Sequence, residues 1–363
     1  MRSKIQFKHL TFTIVLGLSL AFLINSCKKS TPFVPPVTTT LTASIDSAKW
    51  YLANTSEGTQ PLRYTKGSQA TLQAALTSAQ AVLATAATTA TQAQITAATA
   101  NLNAAIAAYE SSLITPIASS SLMAYWKFNG NTNDSSGNGH KGTLEAGPAG
   151  LAAVPLGVPN LTNDRFGNAN SAYHFAGGGN IDVPYSPALN PKAMSISLWE
   201  RQDTAGRTDH RADCYMLGLN RWNGWKFQMQ PTRPFFTVRT DTSIYDRDAA
   251  LDITIGTTTG SGPWHHLVVT YDGVSTEVFY VDGVVVKTWT NLVGAIKVFT
   301  PTVDLSIGTD LPNSAYTATD DGTGRYFVAW GGYWTGDLDD IMIYNVPLTA
   351  AQVTQVYNQQ VTQ

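Results

Sequence analysis

The sequence predicts a mainly β protein, a two-sheet sandwich or jelly roll preceded by a small all-α three-helix bundle. Three observations predict it. Hydrophobic residues make up 43% and charged residues 13% of 363, a balance that marks a folded chain. From residue 121 onward, Gly and Pro punctuate short runs rich in Val, Ile, Tyr, Phe and Trp, the pattern of strands joined by turns. Between residues 41 and 117 the chain is instead rich in Ala, Thr and Gln, with apolar residues at helical spacing.

In chain order, the first element is an address. Basic residues Arg2, Lys4 and Lys8 precede Leu10 to Ile24, an uncharged apolar run that fits a signal peptide and is short for a membrane span. Leu23-Ile24-Asn25-Ser26-Cys27 resembles the bacterial lipobox. That resemblance implies cleavage after residue 26, diacylation of Cys27 and attachment to a membrane through the lipid. Lys28 stands where inner-membrane retention would place an aspartate, so an outer-membrane destination in the cell envelope is implied, facing the periplasm or the surface. Residues 27–40 hold Pro32, Pro35, Pro36 and several threonines and read as an extended tether.

The helical module, 41–117, carries Ile45 to Leu52 as one short helix, Leu72, Leu76, Ala79 and Leu83 on a second, and Ile95, Leu102, Ile106, Tyr109 and Leu113 on a third. Ser68 and Thr91 are expected as N-caps, since their hydroxyls can accept first-turn amides. The spacing Leu72-x-x-Ala75-Leu76-x-x-Ala79 resembles FIVAR-type helical repeats of bacterial surface proteins. With no aromatic or charged cluster on its exposed face, the module reads as a spacer.

The third unit, residues 121–360, has strands expected at Met123–Phe128, Ser195–Glu200, Phe235–Arg239, His265–Tyr271, Glu277–Val281 and Asp304–Ile307. Ser195 to Trp199 alternates, predicting one buried and one solvated face. Asp282-Gly283 predicts a type I′ hairpin turn. Of the paired His265 and His266, one ring is expected in the core and the other as a rim hydrogen-bonder; Cys214 is expected as a small buried hydrophobe.

Composition excludes several chemistries. Lys plus Arg number 23 against 25 Asp plus Glu, without a basic stripe, which disfavours nucleic acid. Two cysteines, Cys27 and Cys214, make no disulfide framework and no zinc spacing. The five glutamates, Glu57, Glu110, Glu145, Glu200 and Glu277, are each isolated, and the aspartate pairs Asp246/Asp248, Asp320/Asp321 and Asp339/Asp340 read as solvated or metal-bound loop acids, so no pair is expected to serve as the two carboxyls of a retaining glycosidase. No GxSxG or HExxH pattern occurs. A non-enzyme is expected.

Six ordered blocks carry a more specific resemblance. Tyr125-Trp126-Lys127-Phe128-Asn129-Gly130 with its Asn-rich loop, Asp164 to Ala169, Ile196 to Trp199, Trp264 to Gly273, Tyr280 to Gly283 and Gly336 to Asn345 resemble the LamG-like jelly rolls of the concanavalin A-like lectin/glucanase fold. The resemblance implies a calcium ion held by Asp134, Asn138 and Asp340. The residues alone leave a second reading, an Asx-rich turn whose side chains bond their own backbone.

Carbohydrate sites pair a flat aromatic ring with polar groups that catch hydroxyls. Two stretches qualify, Asn220 to Trp225 and Gly324 to Trp334, giving Trp222, Arg325, Trp330, Tyr333 and Trp334 as candidate ligand-binding residues expected at the surface. The leading expectation is a membrane-anchored envelope lipoprotein with a non-catalytic carbohydrate-binding or adhesion domain. The alternatives are a glycoside hydrolase with an unfamiliar carboxylate pair, and an architectural or protein-adhesion role.

Overall fold

A computed structural model describes residues 32–151, 156–203, 214–255, 262–298 and 300–361. The helical module comprises α1 (Thr39–Asn54), β1 (Glu57–Gly58), β2 (Tyr64–Thr65), α2 (Ser68–Ala84) and α3 (Gln92–Ser111). Leu41, Ile45, Leu72, Leu76, Ile95, Leu102 and Tyr109 meet in its core, and Tyr64 stacks on Tyr109 with ring centroids 4.2 Å apart. The expected Thr91 cap is present as a capping box with Gln94. Ser68 is not a cap. Gly67 takes that position at φ 89°, a left-handed conformation that suits glycine. The Glu57 carboxylate accepts the first-turn amide of Gln69 at 2.6 Å instead, where the helix dipole also favours negative charge.

The β domain begins with β3 (Leu122–Trp126), β4 (Thr143–Glu145), β5 (Asn160–Thr162), β6 (Ala172–Phe175), β7 (Asn180–Val183), β8 (Met194–Gln202) and β9 (Cys214–Leu219). It continues through β10 (Trp225–Met229), β11 (Pro234–Arg239), β12 (Ile244–Asp248), β13 (His265–Tyr271), β14 (Glu277–Val281), β15 (Val284–Trp289), β16 (Leu305–Ile307) and β17 (Gly336–Tyr344), and closes with helix α4 (Ala350–Gln360). Two antiparallel sheets result, one ordered β12-β11-β10-β9-β16-β7-β4, the other β15-β14-β13-β8-β17-β6-β5 with β3 also on β17. Trp126, Phe175, Ile196, Leu198, Trp225, Phe227, Phe236, Leu267, Phe279 and Ile307 fill the space between them. Asp282 and Gly283, at φ 50° and 78°, make the expected hairpin turn.

The outer faces depart from simple alternation. Ser195, Ser197 and Trp199 are all buried, because α4 lies across that side of the sheet. Its Val353 and Val356 pack with Val268, Tyr280 and Met342, and Tyr357 stacks on Trp199 at 5.8 Å. The histidine pair divides as expected. His266 is buried against the Ser197 hydroxyl at 2.8 Å, and burial pushes its pKa down to about 3. His265, at the rim, pairs with Asp282 at 2.9 Å, and that bond raises its pKa. Cys214 is buried, with the Gln202 amide 3.3 Å from its sulfur.

On the seven-stranded sheet, cross-strand register aligns Asp246, Thr237, Lys226, Gly218, Ser306, Asp182 and Thr143 in one row. Their neighbours Trp225, Phe227, Leu217, Ile307 and Ile181 point into the core, so this row is the polar outer face. Among the described residues no helix is long and apolar enough to cross a membrane. The run from Leu10 to Ile24 and the lipobox with Cys27 lie outside the described residues.

Candidate functional site

A loop-built cleft sits on that outer face. After β9 the chain turns sharply through Asn220 and Arg221, at φ 65° and 47°, into a short 3-10 turn spanning Arg221–Asn223. The turn sends Arg221 inward and Trp222 outward. Arg221 is 0% exposed. Its Nε lies 2.5 Å from Asp310 Oδ2, while Nη1 donates to the carbonyls of Gly324 at 2.9 Å and Phe327 at 3.2 Å. Burial opposes the guanidinium charge, and the Asp310 carboxylate overrides it, raising the Arg221 pKa. Asp310 also accepts from Tyr316 at 2.5 Å. Burial, then Asp310, drives the Tyr316 hydroxyl well above its usual range.

Asp310 stands on Gly218, where any β-carbon would come within 2.9 Å of the Asp310 carbonyl oxygen. Glycine in mid-strand therefore lets the loop from Thr309 to Thr335 settle on the sheet. The buried ion pair fixes it there.

That loop displays the predicted aromatics unequally. Trp330 is 59% exposed and Trp222 is half-buried. Both flank Gly324, with Trp330 Cδ1 3.8 Å and Trp222 Cζ3 4.0 Å from where its β-carbon would stand. Arg325 is exposed beside them and helps hold Asp321 below the usual carboxylate range, after the Thr323 hydroxyl and amide. Tyr326, whose hydroxyl reaches Asn220 at 3.3 Å, walls a cleft of about 330 Å3 with Pro301, Thr302, Val303, Asp304, Ser314 and Ala315.

Two expected surface residues prove buried. Tyr333 bridges antiparallel to Thr309 and closes a small cluster with Leu151 and Val328. The next residue must then face the other way, and Trp334, 0% exposed, enters the sandwich core. The residues that sequence reasoning missed are Arg221, Asp310, Tyr326 and Asp304. Tyr326 lay in the quoted aromatic stretch, and Arg221 beside Trp222.

Residues 175–354 match the model of a family described as the concanavalin A-like lectin/glucanases superfamily. This region is a concanavalin A-like lectin/glucanase domain. Among solved structures, the chain is similar to domain 4 of an extracellular arabinanase from Geobacillus stearothermophilus in complex with arabinotriose, at 20% identity and TM-score 0.46, over 65% of this chain and 98% of that one. It is also similar to the binding domain of Paraclostridial Mosquitocidal Protein 1, at 16% identity and TM-score 0.47, over 67% of this chain and 53% of that one. The binding domain of Botulinum neurotoxin DC in complex with rat synaptotagmin II matches at 12% identity and TM-score 0.43, over 66% of this chain and 52% of that one. The chain thus spans about half the length of these two toxin domains. No curated protein matches it.

The calcium expected in the concanavalin A-like domain has an ill-fitting donor set. Asp134 accepts four hydrogen bonds, from the amides of Tyr125, Ser136 and His140 and from the Ser136 hydroxyl, at 2.8 to 3.0 Å. Burial opposes its charge, but these donors, His140 foremost, hold its pKa below the usual range. Asn138 turns its amide nitrogen inward, donating to the Leu122 and Met123 carbonyls. Asp340 accepts from Arg165 at 2.8 Å and from the Tyr125 hydroxyl at 2.6 Å. Tyr125 thus meets Asp134 with its amide and Asp340 with its phenol, so the two carboxylates stand at opposite ends of one residue rather than around one ion. The Asx-turn reading describes Asp134. Asp134→Ala is expected to lower stability by about 1–3 kcal/mol, the cost of buried amides left unpaired. The loss should be the same in calcium and in chelator, as thermal unfolding in both will check.

Asp339 and Asp340 instead clip α4 in place. Arg165 joins Asp339 at 2.7 Å, the Gln360 carbonyl at 2.8 Å and the Trp199 ring, 4.5 Å from its centroid. For hydrolysis, the cleft wall offers one carboxylate, Asp304, where two are required. Glu200 and Glu277 are buried on strands of the other sheet.

Proposed function

We propose that the concanavalin A-like domain binds carbohydrate without hydrolysing it, through Trp330, Trp222 and the cleft walled by Tyr326. We further propose that a lipid on Cys27 displays it from the outer membrane of a bacterial cell envelope, with the helical module as spacer. The observation that carries the reading is the exposed Trp330 ring, which flanks Gly324 together with Trp222; Gly324 lies two residues along the chain from Tyr326, in the wall of a cleft that also holds Asp304 and Ser314. An exposed indole covers the apolar face of a pyranose, and the cleft's Asp304, Ser314 and Tyr326 supply hydrogen bonds. Arg325 stands at the same lip.

A glycan array probed with the full chain tests it. Specific hits are expected, and Trp330→Ala should weaken them by roughly tenfold or more, the order of one lost aromatic contact. A blank array from a folded chain would move the role to protein adhesion or architecture. For the anchor, labelled palmitate should enter the wild-type chain and not Cys27→Ser; equal labelling would refute lipidation at that residue.

A further inference from the structure

The 3-10 turn that sends Arg221 inward and Trp222 outward carries a third side chain, Asn223. It is 4% exposed and lines a narrow slot with Tyr185, Asn190, Asn220, Thr302 and Val303. Thr302 and Val303 also wall the cleft, so the slot lies directly against it. The Tyr326 hydroxyl, from the cleft wall, donates to Asn220 Oδ1 at 3.3 Å, and Asn220 Nδ2 donates to the Pro301 carbonyl at 3.4 Å. The Asn220 side chain is thus committed to tying the turn to the cleft. The open space in the slot is about 10 Å3, enough for one water-sized group.

The Asn223 side chain has no such commitment. Its backbone N–H donates to the Asn220 carbonyl at 2.8 Å, which fixes the turn, while its side-chain amide makes no hydrogen bond among the described residues. Of the side chains around the slot, only Asn190 holds an atom that is both sealed from water and unpartnered. The Asn223 amide is therefore open to the slot, with its N–H donors and its carbonyl acceptor unused. Polar groups buried in native proteins find partners, so this amide calls for a group that enters the slot. A sugar hydroxyl matches it in size, and also in chemistry, since it donates and accepts without charge. An acetamido or carboxylate group is too large for the space.

We infer that Asn223 reads one hydroxyl of a neutral sugar bound in the cleft. The preferred ligands are neutral, hydroxyl-rich glycans, over those carrying an acetamido or carboxylate group. Stacking on Trp330 and Trp222 tolerates many sugars, and the amide next to Trp222 in the chain supplies the selection. The inference rests on the carbohydrate-binding reading above and names its ligand class.

Calorimetric titration of the full chain with trisaccharides of glucose, mannose, galactose, N-acetylglucosamine and galacturonate tests it. A neutral trisaccharide is expected to bind most tightly. Asn223→Leu, close in shape and without the amide, should weaken it by about tenfold, the order of one lost hydrogen bond. The thermal midpoint should stay unchanged, because the side chain removed bonds to nothing in the fold. Deleting the hydroxyls of that trisaccharide one at a time should find one whose loss costs the wild type about tenfold and costs Asn223→Leu nothing, the non-additivity of a direct contact. If every deoxy sugar loses as much in the variant as in the wild type, the slot holds water and the inference falls. Undiminished binding in Asn223→Leu, a fall in its thermal midpoint that accompanies the weakening, or tightest binding of an acetylated or acidic trisaccharide would each overturn it. With binding still weakened in Trp330→Ala, these outcomes would leave carbohydrate binding standing. No binding of any trisaccharide would overturn both.

Discussion

Asp310→Ala is expected to lower the unfolding free energy of the β domain by about 3–5 kcal/mol, the range for removing one partner of a buried ion pair. The size follows from what remains. Arg221 would stay fully enclosed, with its charge unmatched and with Nη2 already lacking a partner, and Tyr316 would lose its acceptor. The rim pair Arg233–Asp252, whose side chains are 45% and 57% exposed, is the internal control. Asp252→Ala should cost less than about 1 kcal/mol, because water screens and replaces an exposed pair. Urea unfolding of both variants checks this, read as midpoint shifts at constant slope. A loss below about 1 kcal/mol for Asp310→Ala would mean that the loop is held by other contacts. Because Arg221 also grips the Gly324 and Phe327 carbonyls, the same variant should lose the geometry that sets Trp330 beside Trp222.

What the sequence disclosed of this architecture was local. His265–Tyr271 and Glu277–Val281 appear as strands at the expected residues, because alternation between turns needs only neighbours to be recognised. The Thr91 cap is likewise a four-residue event. What escaped depends on distant partners. Helix α4 is rich in Gln, and its few apolar side chains gain meaning only against Val268, Tyr280 and Met342. That contact also buries Ser195 and Ser197, whose alternation had pointed to solvent. Nothing marks Arg221 as internal until Asp310, 89 residues later, is set opposite it. Asp340 was legible as an acid, but not its left-handed backbone or the Arg165 fork that occupies it. The aromatic stretch was legible as a site, and the division of its rings was not, since the Thr309–Tyr333 bridge decides which side faces out.

That division makes the second large effect a matched pair of substitutions four residues apart. Trp334→Ala should cost about 3–5 kcal/mol, because it removes a fully buried indole from the close-packed sandwich core and leaves a cavity that a β-sheet interior cannot collapse to fill. Trp330→Ala should change stability by less than about 0.5 kcal/mol, as expected of an exposed side chain, while weakening carbohydrate binding by roughly tenfold or more. Trp334→Phe sharpens the argument. The indole N–H of Trp334 is buried with no acceptor, so phenylalanine discards an unsatisfied donor while keeping much of the apolar contact, and its cost should fall well below that of alanine. Urea unfolding of the three variants beside the array result separates the roles: stability follows Trp334, and binding follows Trp330. If Trp330→Ala destabilised the domain as much as Trp334→Ala, the exposed ring would be part of the core, and the cleft would lose the platform on which a sugar is proposed to rest.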